Sequence, residues 1–336
     1  MARNQITSAD VARLANVSQS AVSRAFTPGA SVAPETRREV LEAAKKLGYR
    51  PNAIARTLST RRSKIIGLVM SYLENQFYPV VLEKLSKQLQ KEGYHVLLFV
   101  PETSDADLLM EEILAYQVDG IVLASTMLSS PLARECADAG IPVVYLNRVS
   151  GLASASSVTS DNFAGGRLAA DFLAEAGHER IAYIAGLENS STTMERERGF
   201  REQLAQRGRR CFARAVGNYD FEQAKRATRE LLGHAERPDA IFVANDHMAF
   251  AVMDVIREEF HLRIPQDISV VGFDNVPQAA WGAYNLTTIE QSVAPMVEAT
   301  ITLLHEQLAK TPGPRRQVVL SCQLVVRGSA RVAPTI

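Results

Sequence analysis

Two sets of side chains in this sequence have the types and spacing to do chemistry. Gln19, Ser20 and Ala21, followed one helical turn later by Ser23 and Arg24, can read base-pair edges. A glutamine pairs bidentately with adenine, an arginine with guanine, and an alanine methyl meets the thymine methyl. The hydroxyls of Thr7, Ser18 and Ser23 stand at helix starts, where they can hold phosphates and fix register. The second set follows a series of apolar runs: Ser71, Ser125, Asn147-Arg148, Gly186-Leu187-Glu188, Asn245-Asp246 and Asp274-Asn275. Amides, carboxylates and a guanidinium gathered in one cleft with aromatic rings suit a polyhydroxylated molecule, whose hydroxyls both donate and accept. A helix cap or loop hydrogen bond explains any single one of these residues as well as a ligand does. Their recurrence after nearly every run favours the ligand.

Enzymatic chemistry finds less support. No G-x-S-x-G, no dinucleotide or phosphate-binding glycine loop and no metal-ligating cluster follows any apolar run. Cys136, Cys211 and Cys322 are far apart and form no C-x-x-C pair, so buried free thiols are expected, with neither zinc nor disulfide. An α/β enzyme with an appended basic domain would need a nucleophile, base and orienting group in one cleft. A transport-type binding protein would need an export signal and no DNA module, the reverse of what is found. No cofactor is expected.

The elements that must position these residues fall into two kinds. Thr7 and Asp10 form a weak capping box for a helix through Ala15, with Val11, Leu14 and Ala15 as its apolar face. Asn16-Val17 makes a tight turn, and Ser18 caps a second helix to about Phe26 with Val22 and Ala25 inward. A third runs from Pro34 to Gly48. Three short helices, the first two joined by a tight turn, have the dimensions of a helix-turn-helix unit. Beyond Pro51, residues 52–59 favour helix but are shorter than the ~12–15 residues a helix needs in isolation, so they should be helical only when packed.

From residue 64 onward, apolar runs (65–70, 95–100, 120–124, 142–146, 181–185, 240–244, 269–273) alternate with amphipathic helices such as 79–92, 105–116, 162–176, 194–207 and 247–260. This alternation predicts parallel sheets covered on both faces. Four strands precede Asp161 and several follow, so two doubly wound lobes are expected. A helix from beyond Val293 to Lys310 should return to the first lobe, and a strand over 317–326 should cross back.

Charge agrees with a division of labour. The chain has 336 residues and no net charge, but residues 1–62 carry 11 lysines and arginines against 4 aspartates and glutamates. A basic head on an acidic body suits a polyanion touched at one end. No apolar run spans a bilayer and no signal peptide opens the chain, which makes the cytoplasm the expected location and a membrane no partner.

On these residues the chain resembles the lac repressor/galactose repressor family. The first part carries the resemblance through Asp10-Val11-Ala12, Ala21-Val22-Ser23-Arg24, Gly48-Tyr49-Arg50-Pro51-Asn52 and Ala55-Arg56-Thr57-Leu58. The second carries it through Asp161-Asn162-x-x-Gly165-Gly166, Gly177-His178-x-Arg180, Arg196-x-x-Gly199-Phe200, Asn245-Asp246, Gly272-Phe273-Asp274 and Val326-Arg327-Gly328-Ser329. The resemblance implies an all-α helix-turn-helix domain over 1–51, a hinge helix and linker over 52–62, and a two-lobed α/β effector domain like a periplasmic binding protein. Its N-terminal lobe would be 63–161 with 292–320, and its C-terminal lobe 162–291 with 321–336.

The same resemblance implies a dimeric transcription regulator, most simply a repressor, on double-stranded palindromic operator DNA under the control of a small metabolite. Asn52, Ala55 and Leu58 would enter the minor groove, Leu58 as an apolar wedge. Ligand contacts would come from Phe77, Tyr78, Asp161, Ser190, Thr192, Arg196, Tyr219, Asn245, Asp274 and Gln291. Arg196 stands out, because a guanidinium can hold two ligand oxygens at once. His178 is expected to pin a helix-to-strand turn. Trp281 covers either the cleft or the dimer face. The lack of C-terminal leucine heptads, which tetrameric members carry, points to a homodimer.

Overall fold

The computed structural model describes residues 6–27, 29–50, 62–101, 107–124, 130–149, 155–309 and 314–333. The chain separates into two compact units between Ser63 and Lys64.

The first unit holds α1 (Ser8–Leu14), α2 (Gln19–Ala25) and α3 (Pro34–Leu47). The Asp10 carboxylate accepts the Thr7 backbone N–H at 2.9 Å and the Thr7 hydroxyl at 2.8 Å. Satisfying otherwise orphaned donors in this way starts a helix of only seven residues. Asn16 supplies the tight turn at φ 54°, and Gly48 ends α3 in the left-handed region at φ 69°. Val11, Ala12, Val22, Ala25, Val40, Ala43 and Ala44 form the core. Leu14 departs from expectation at 51% exposed, because α1 turns Val11 and Ala12 inward instead. Arg37 donates to the carbonyls of Ala25 (2.7 Å) and Ala30 (3.1 Å), fixing the α2–α3 connection.

The second unit contains two six-stranded sheets. The first uses β1 (Ile65–Met70), β2 (His95–Phe99), β3 (Gly120–Ala124), β4 (Val143–Leu146) and β5 (Ser156–Ser160), with α4 (Phe77–Lys91), α5 (Asp107–Ala115) and α6 (Ser130–Asp138) between strands. The chain then enters the second lobe through α7 (Asn162–Glu175), β6 (Ile181–Ala185), α8 (Ser191–Gln206), β7 (Arg214–Val216), α9 (Phe221–Gly233) and β8 (Ala240–Val243). It continues through α10 (Asp246–Asp254), β9 (Ser269–Asp274) and β10 (Thr287–Gln291). It returns through α11 (Val293–Leu308) and β11 (Gln317–Leu320), and ends in β12 (Cys322–Val325). Strand orders are β11-β5-β4-β3-β1-β2 and β12-β10-β9-β8-β6-β7. All pairs are parallel except β10 with β12.

Several elements differ from their sequence expectation. Five strands precede Asp161, not four, because β5 (Ser156–Ser160) is polar at four of five positions yet wholly buried. It is an inner strand, paired to β4 and β11, and its hydroxyls find partners, as when Ser160 Oγ donates to Gln291 Oε1 at 2.8 Å. The strand expected over 317–326 is two strands in different sheets, parted at Ser321 where the chain crosses between lobes. The helix expected over 247–260 ends as α-helix at Asp254 and continues as a π turn, Val255–Glu259. All three cysteines are free, but only Cys136 is buried.

His178 sits at the α7–β6 turn as expected, buried, with Nδ1 2.8 Å from Arg331 Nη2 and 3.4 Å from Asp239 Oδ1. Asp239 also accepts the backbone N–H groups of Glu179 and Arg180 at 3.0 and 3.1 Å. No described helix is long and apolar enough to cross a membrane.

Candidate functional site

A cleft with about 290 Å³ of unfilled space, part of it open to solvent, lies beyond the carboxyl ends of both sheets, where ligands of open α/β folds gather. The first lobe contributes Tyr72, Asn75, Tyr78, Asn147 and Arg148; the second contributes Thr192, Arg196, Tyr219, Asn245 and Asp274. All are buried except Tyr72, which is half-buried. Four of the ten have positive φ: Tyr72 (59°), Asn147 (57°), Tyr219 (59°) and Asp274 (127°). Side chains rarely adopt such backbone, and its concentration here is the usual mark of residues held for function at a conformational cost.

Helix packing sets the position of Arg196. A Cβ on Gly166 would collide with the Arg196 carbonyl oxygen, and one on Gly199 with that of Phe163, so α7 and α8 touch backbone to backbone. This approach lets Arg196 Nε donate to Asn162 Oδ1 at 2.8 Å while Nη1 donates to the Ala244 carbonyl at 2.5 Å. The guanidinium carbon stacks 3.6 Å from the Phe273 ring centroid, and Nη1 lies 3.8 Å from Asp274 Oδ1. Two of its three nitrogens thus already serve the protein, which makes the group a rigid wall of the cavity and leaves fewer donors for a ligand than expected of a free guanidinium.

Direct hydrogen bonds join the lobes across the cavity. Asn75 Nδ2 donates to Asp274 Oδ2 at 3.4 Å, and Arg148 Nη1 donates to Thr192 Oγ1 at 3.0 Å. Asp274 Oδ1 also accepts from Gln291 Nε2 at 2.6 Å. Burial pushes the Asp274 carboxyl up to about 6, against the opposing pull of Arg196, Gln291 and Asn75. Behind it, burial and the neighbouring Asp274 hold Asp246 well above the usual carboxylate range, although Thr288 Oγ1 (2.6 Å) and the Val276 N–H (3.0 Å) both donate to it. Burial raises the Tyr219 phenol, but Arg196, Arg148 and the Thr192 and Thr193 hydroxyls outweigh it and leave the group more acidic than usual. Burial dominates at Tyr78 and raises it. Two polar atoms of the cavity residues, Asn147 Oδ1 and Asn245 Nδ2, are buried with no hydrogen-bond partner. One accepts and one donates, the pair of roles that a ligand hydroxyl can fill.

Of the ligand contacts implied by resemblance, Tyr78, Thr192, Arg196, Tyr219, Asn245 and Asp274 line this cavity. The other four do not. Phe77 packs into the first-lobe core with its ring centroid 5.3 Å from that of Tyr78. Asp161 and Ser190 cap α7 and α8, accepting the Ala164 and Thr193 N–H groups at 2.9 and 3.2 Å. Gln291 stands behind Asp274 and orients it. Tyr72 and Asn75 went unnoticed in the sequence, while Asn147 and Arg148 were visible only as a polar exit from a strand. Trp281 is 56% exposed and does not line the cavity, nor does His247, whose ring centroid is 5.5 Å from that of Phe221. No group of three or more His, Cys, Asp or Glu among the described residues is placed to hold a metal.

In the first unit Ser18 caps α2 by accepting the Ala21 N–H at 3.2 Å, and Gln19, Ser20, Ser23 and Arg24 are exposed along the helix, Ser23 standing at its fifth residue and not at a helix start as expected. Arg24 Nε donates to the Ser20 carbonyl at 3.3 Å, which steadies its guanidinium on that surface. Ala21 is a correction: at 9% exposed it is buried, because its position on α2 falls beside Val22 on the packed side, and its methyl offers little surface to a base. Thr7 is exposed, with its hydroxyl engaged by Asp10. Asn52, Ala55 and Leu58 lie outside the described residues.

Two family models match the chain: bacterial regulatory proteins of the lacI family over residues 7–52, and the periplasmic binding protein-like domain over 170–330. The HTH-type transcriptional regulator CelR of Thermobifida fusca is 34% identical over 332 residues, covering 95% of this chain and 96% of that one. A solved complex described as transcriptional regulator CelR with cellobiose matches with TM-score 0.72 at 32% identity, covering 97% and 100% of the two chains. The lac repressor dimer bound to operator and the anti-inducer ONPF matches with TM-score 0.87 at 27% identity, covering 98% and 100%.

Proposed function

The chain belongs to the lacI family of bacterial regulatory proteins, DNA-binding transcription regulators and not enzymes, and from that premise we propose a specific mode of action. It represses transcription by binding a palindromic operator as a dimer, and a sugar or sugar acid in the inter-lobe cavity releases it. The observation that carries this reading is the cavity itself. Its walls come from both lobes, and it holds an unpaired acceptor on Asn147 and an unpaired donor on Asn245. A hydroxylated ligand would satisfy both atoms.

Such a ligand has leverage on lobe geometry. It must compete with, or add to, the Asn75–Asp274 and Arg148–Thr192 bonds that span the cleft. A ligand shifts an equilibrium only by its differential affinity for the two states, and ~1–3 kcal/mol is ordinary for a regulatory site. On the DNA side, Gln19, Ser20, Ser23 and Arg24 read bases in the major groove, while Thr7 and Ser18 contact phosphates. The family resemblance supports residues 52–59 as a hinge that is helical only when paired on DNA, with Leu58 as the wedge in the minor groove.

The test uses the full-length chain and an operator selected from random duplexes. Leu58→Ala should weaken operator binding while leaving effector affinity unchanged. Unaltered operator affinity would remove the wedge from the mechanism, and binding without sequence preference would remove the regulator reading.

A further inference from the structure

Building on the sugar or sugar-acid reading, we propose that the natural ligand is a hydroxylated anion whose acidic group pairs with Arg148. The charge balance of the cavity carries this inference. Its lining holds two guanidinium groups, Arg148 and Arg196, but one carboxylate, Asp274. Asp274 is already engaged: it lies 3.8 Å from Arg196 Nη1, accepts from Gln291 at 2.6 Å and accepts from Asn75 of the first lobe at 3.4 Å.

Arg148 shares that carboxylate only at a distance, drawing the Asp274 carboxyl down without ion-pair contact. It is 4% exposed, and the acceptors it has are neutral: the Asn147 carbonyl at 2.9 Å and Thr192 Oγ1 at 3.0 Å, both taken by Nη1. Among the described residues no carboxylate forms an ion pair with it. A guanidinium sealed from water without an anion is costly, and proteins keep one where something else supplies the missing charge. Tyr219 registers the excess from the opposite wall, since the charges of Arg196 and Arg148 make its phenol more acidic despite burial.

The geometry suits the ligand as well as the charge. A planar guanidinium fork matches a carboxylate or phosphate in a way no hydroxyl does. The same cavity is lined by Asn147, Asn245 and Asp274, and the unpaired Asn147 Oδ1 and Asn245 Nδ2 would be satisfied by hydroxyls of such a ligand.

Matched pairs test the charge directly. Thermal shift and calorimetry on the full-length protein would compare gluconate with sorbitol, glucuronate with glucose, galacturonate with galactose, and glucose 6-phosphate with glucose. At least one anion should bind ~10-fold or more tightly than its neutral counterpart, a difference of ~1.4 kcal/mol. Arg148→Gln should erase that preference, and Arg148→Lys, which keeps the charge but not the fork, should retain part of it. A response confined to the phosphate would place a phosphate ester at Arg148, and one confined to the acids a carboxylate. Neutral sugars binding as tightly as their acids would overturn the anion and leave the sugar-effector reading standing. An equal loss of neutral and anionic binding in both Arg148 variants would reduce Arg148 to a structural residue and also overturn it. A panel without any response would overturn both.

Discussion

Gly166→Ala tests whether the α7–α8 contact is what holds the cavity wall. The added methyl would sit well inside the 3.0 Å that real Cβ atoms keep from the Arg196 carbonyl oxygen, and at 2.9 Å from the Phe200 backbone nitrogen. Neither neighbour is the end of a flexible side chain, so the helices must part by about 1 Å before ordinary contact is restored. Overpacking of this kind costs ~1–3 kcal/mol. Separation also stretches the 2.8 Å bond from Arg196 to Asn162, a charge-assisted bond worth ~1.5–3 kcal/mol. The expected total is ~2.5–6 kcal/mol, a large share of the ~5–15 kcal/mol by which domains are stable. Urea unfolding followed by Trp281 fluorescence measures it, with effector affinity measured in parallel. Gly233→Ala is the control, since nothing lies within 4 Å of its added methyl, and it should be neutral or slightly stabilising. A Gly166→Ala midpoint equal to that of Gly233→Ala would refute the backbone contact and the positioning of Arg196 derived from it.

Other perturbations follow from the same contacts. Burial works to raise Asp239, but the His178 ring beside it and the hydrogen bonds from the Glu179 and Arg180 N–H groups outweigh this and hold it down to about 2. A depressed carboxylate stabilises the fold above its unfolded value of 3.8 and loses that contribution as pH falls through about 2. Asp239→Asn should therefore cost roughly 2 kcal/mol at pH 7 by urea unfolding, with the difference from wild type vanishing toward pH 2. Asp274 has the opposite sign: raised to about 6, it contributes fully below 3.8 and the contribution is lost as pH rises through 6. The ligand-free protein should thus gain stability as pH falls from about 6 toward 3.8, and Asp274→Asn should flatten that gain; an equally steep profile in the variant would assign it elsewhere. Gln19→Ala should relax discrimination by ~1–3 kcal/mol at one base pair per half-site in a competition binding assay, and unchanged preference at every position would displace the recognition helix.

The periodic features were legible because period and punctuation carry them. Pro34, Gly48 and the Thr7–Asp10 cap bound their helices as expected, and the apolar runs became strands. What escaped was set by tertiary pairing. Ser156–Ser160 has no apolar pattern, and it is a strand because neighbours on both sides complete its ladder and Gln291 meets one of its hydroxyls. Leu14 reads as core by spacing, yet a helix of two turns had only to rotate slightly to bury Ala12 instead.

In the cavity, Asn245 and Asp274 were visible because they end strands, where the fold must deliver them. Asn75 and Tyr72 were not, because a positive-φ turn at Tyr72 brings them in and no spacing rule anticipates it. Asp161, Ser190 and Gln291 stand beside the site, where polar residues serve as caps and supports, and only distances separate those roles from ligand contact.

The most direct measurement is the operator dissociation constant of the full-length protein at fixed salt, taken without ligand and with gluconate, glucuronate, galacturonate or glucose 6-phosphate at 100 times its own dissociation constant. Filling the cavity should weaken operator binding by ~5–150-fold, the range that ~1–3 kcal/mol of coupling provides. An operator affinity that stays constant while calorimetry shows the cavity occupied would contradict the account.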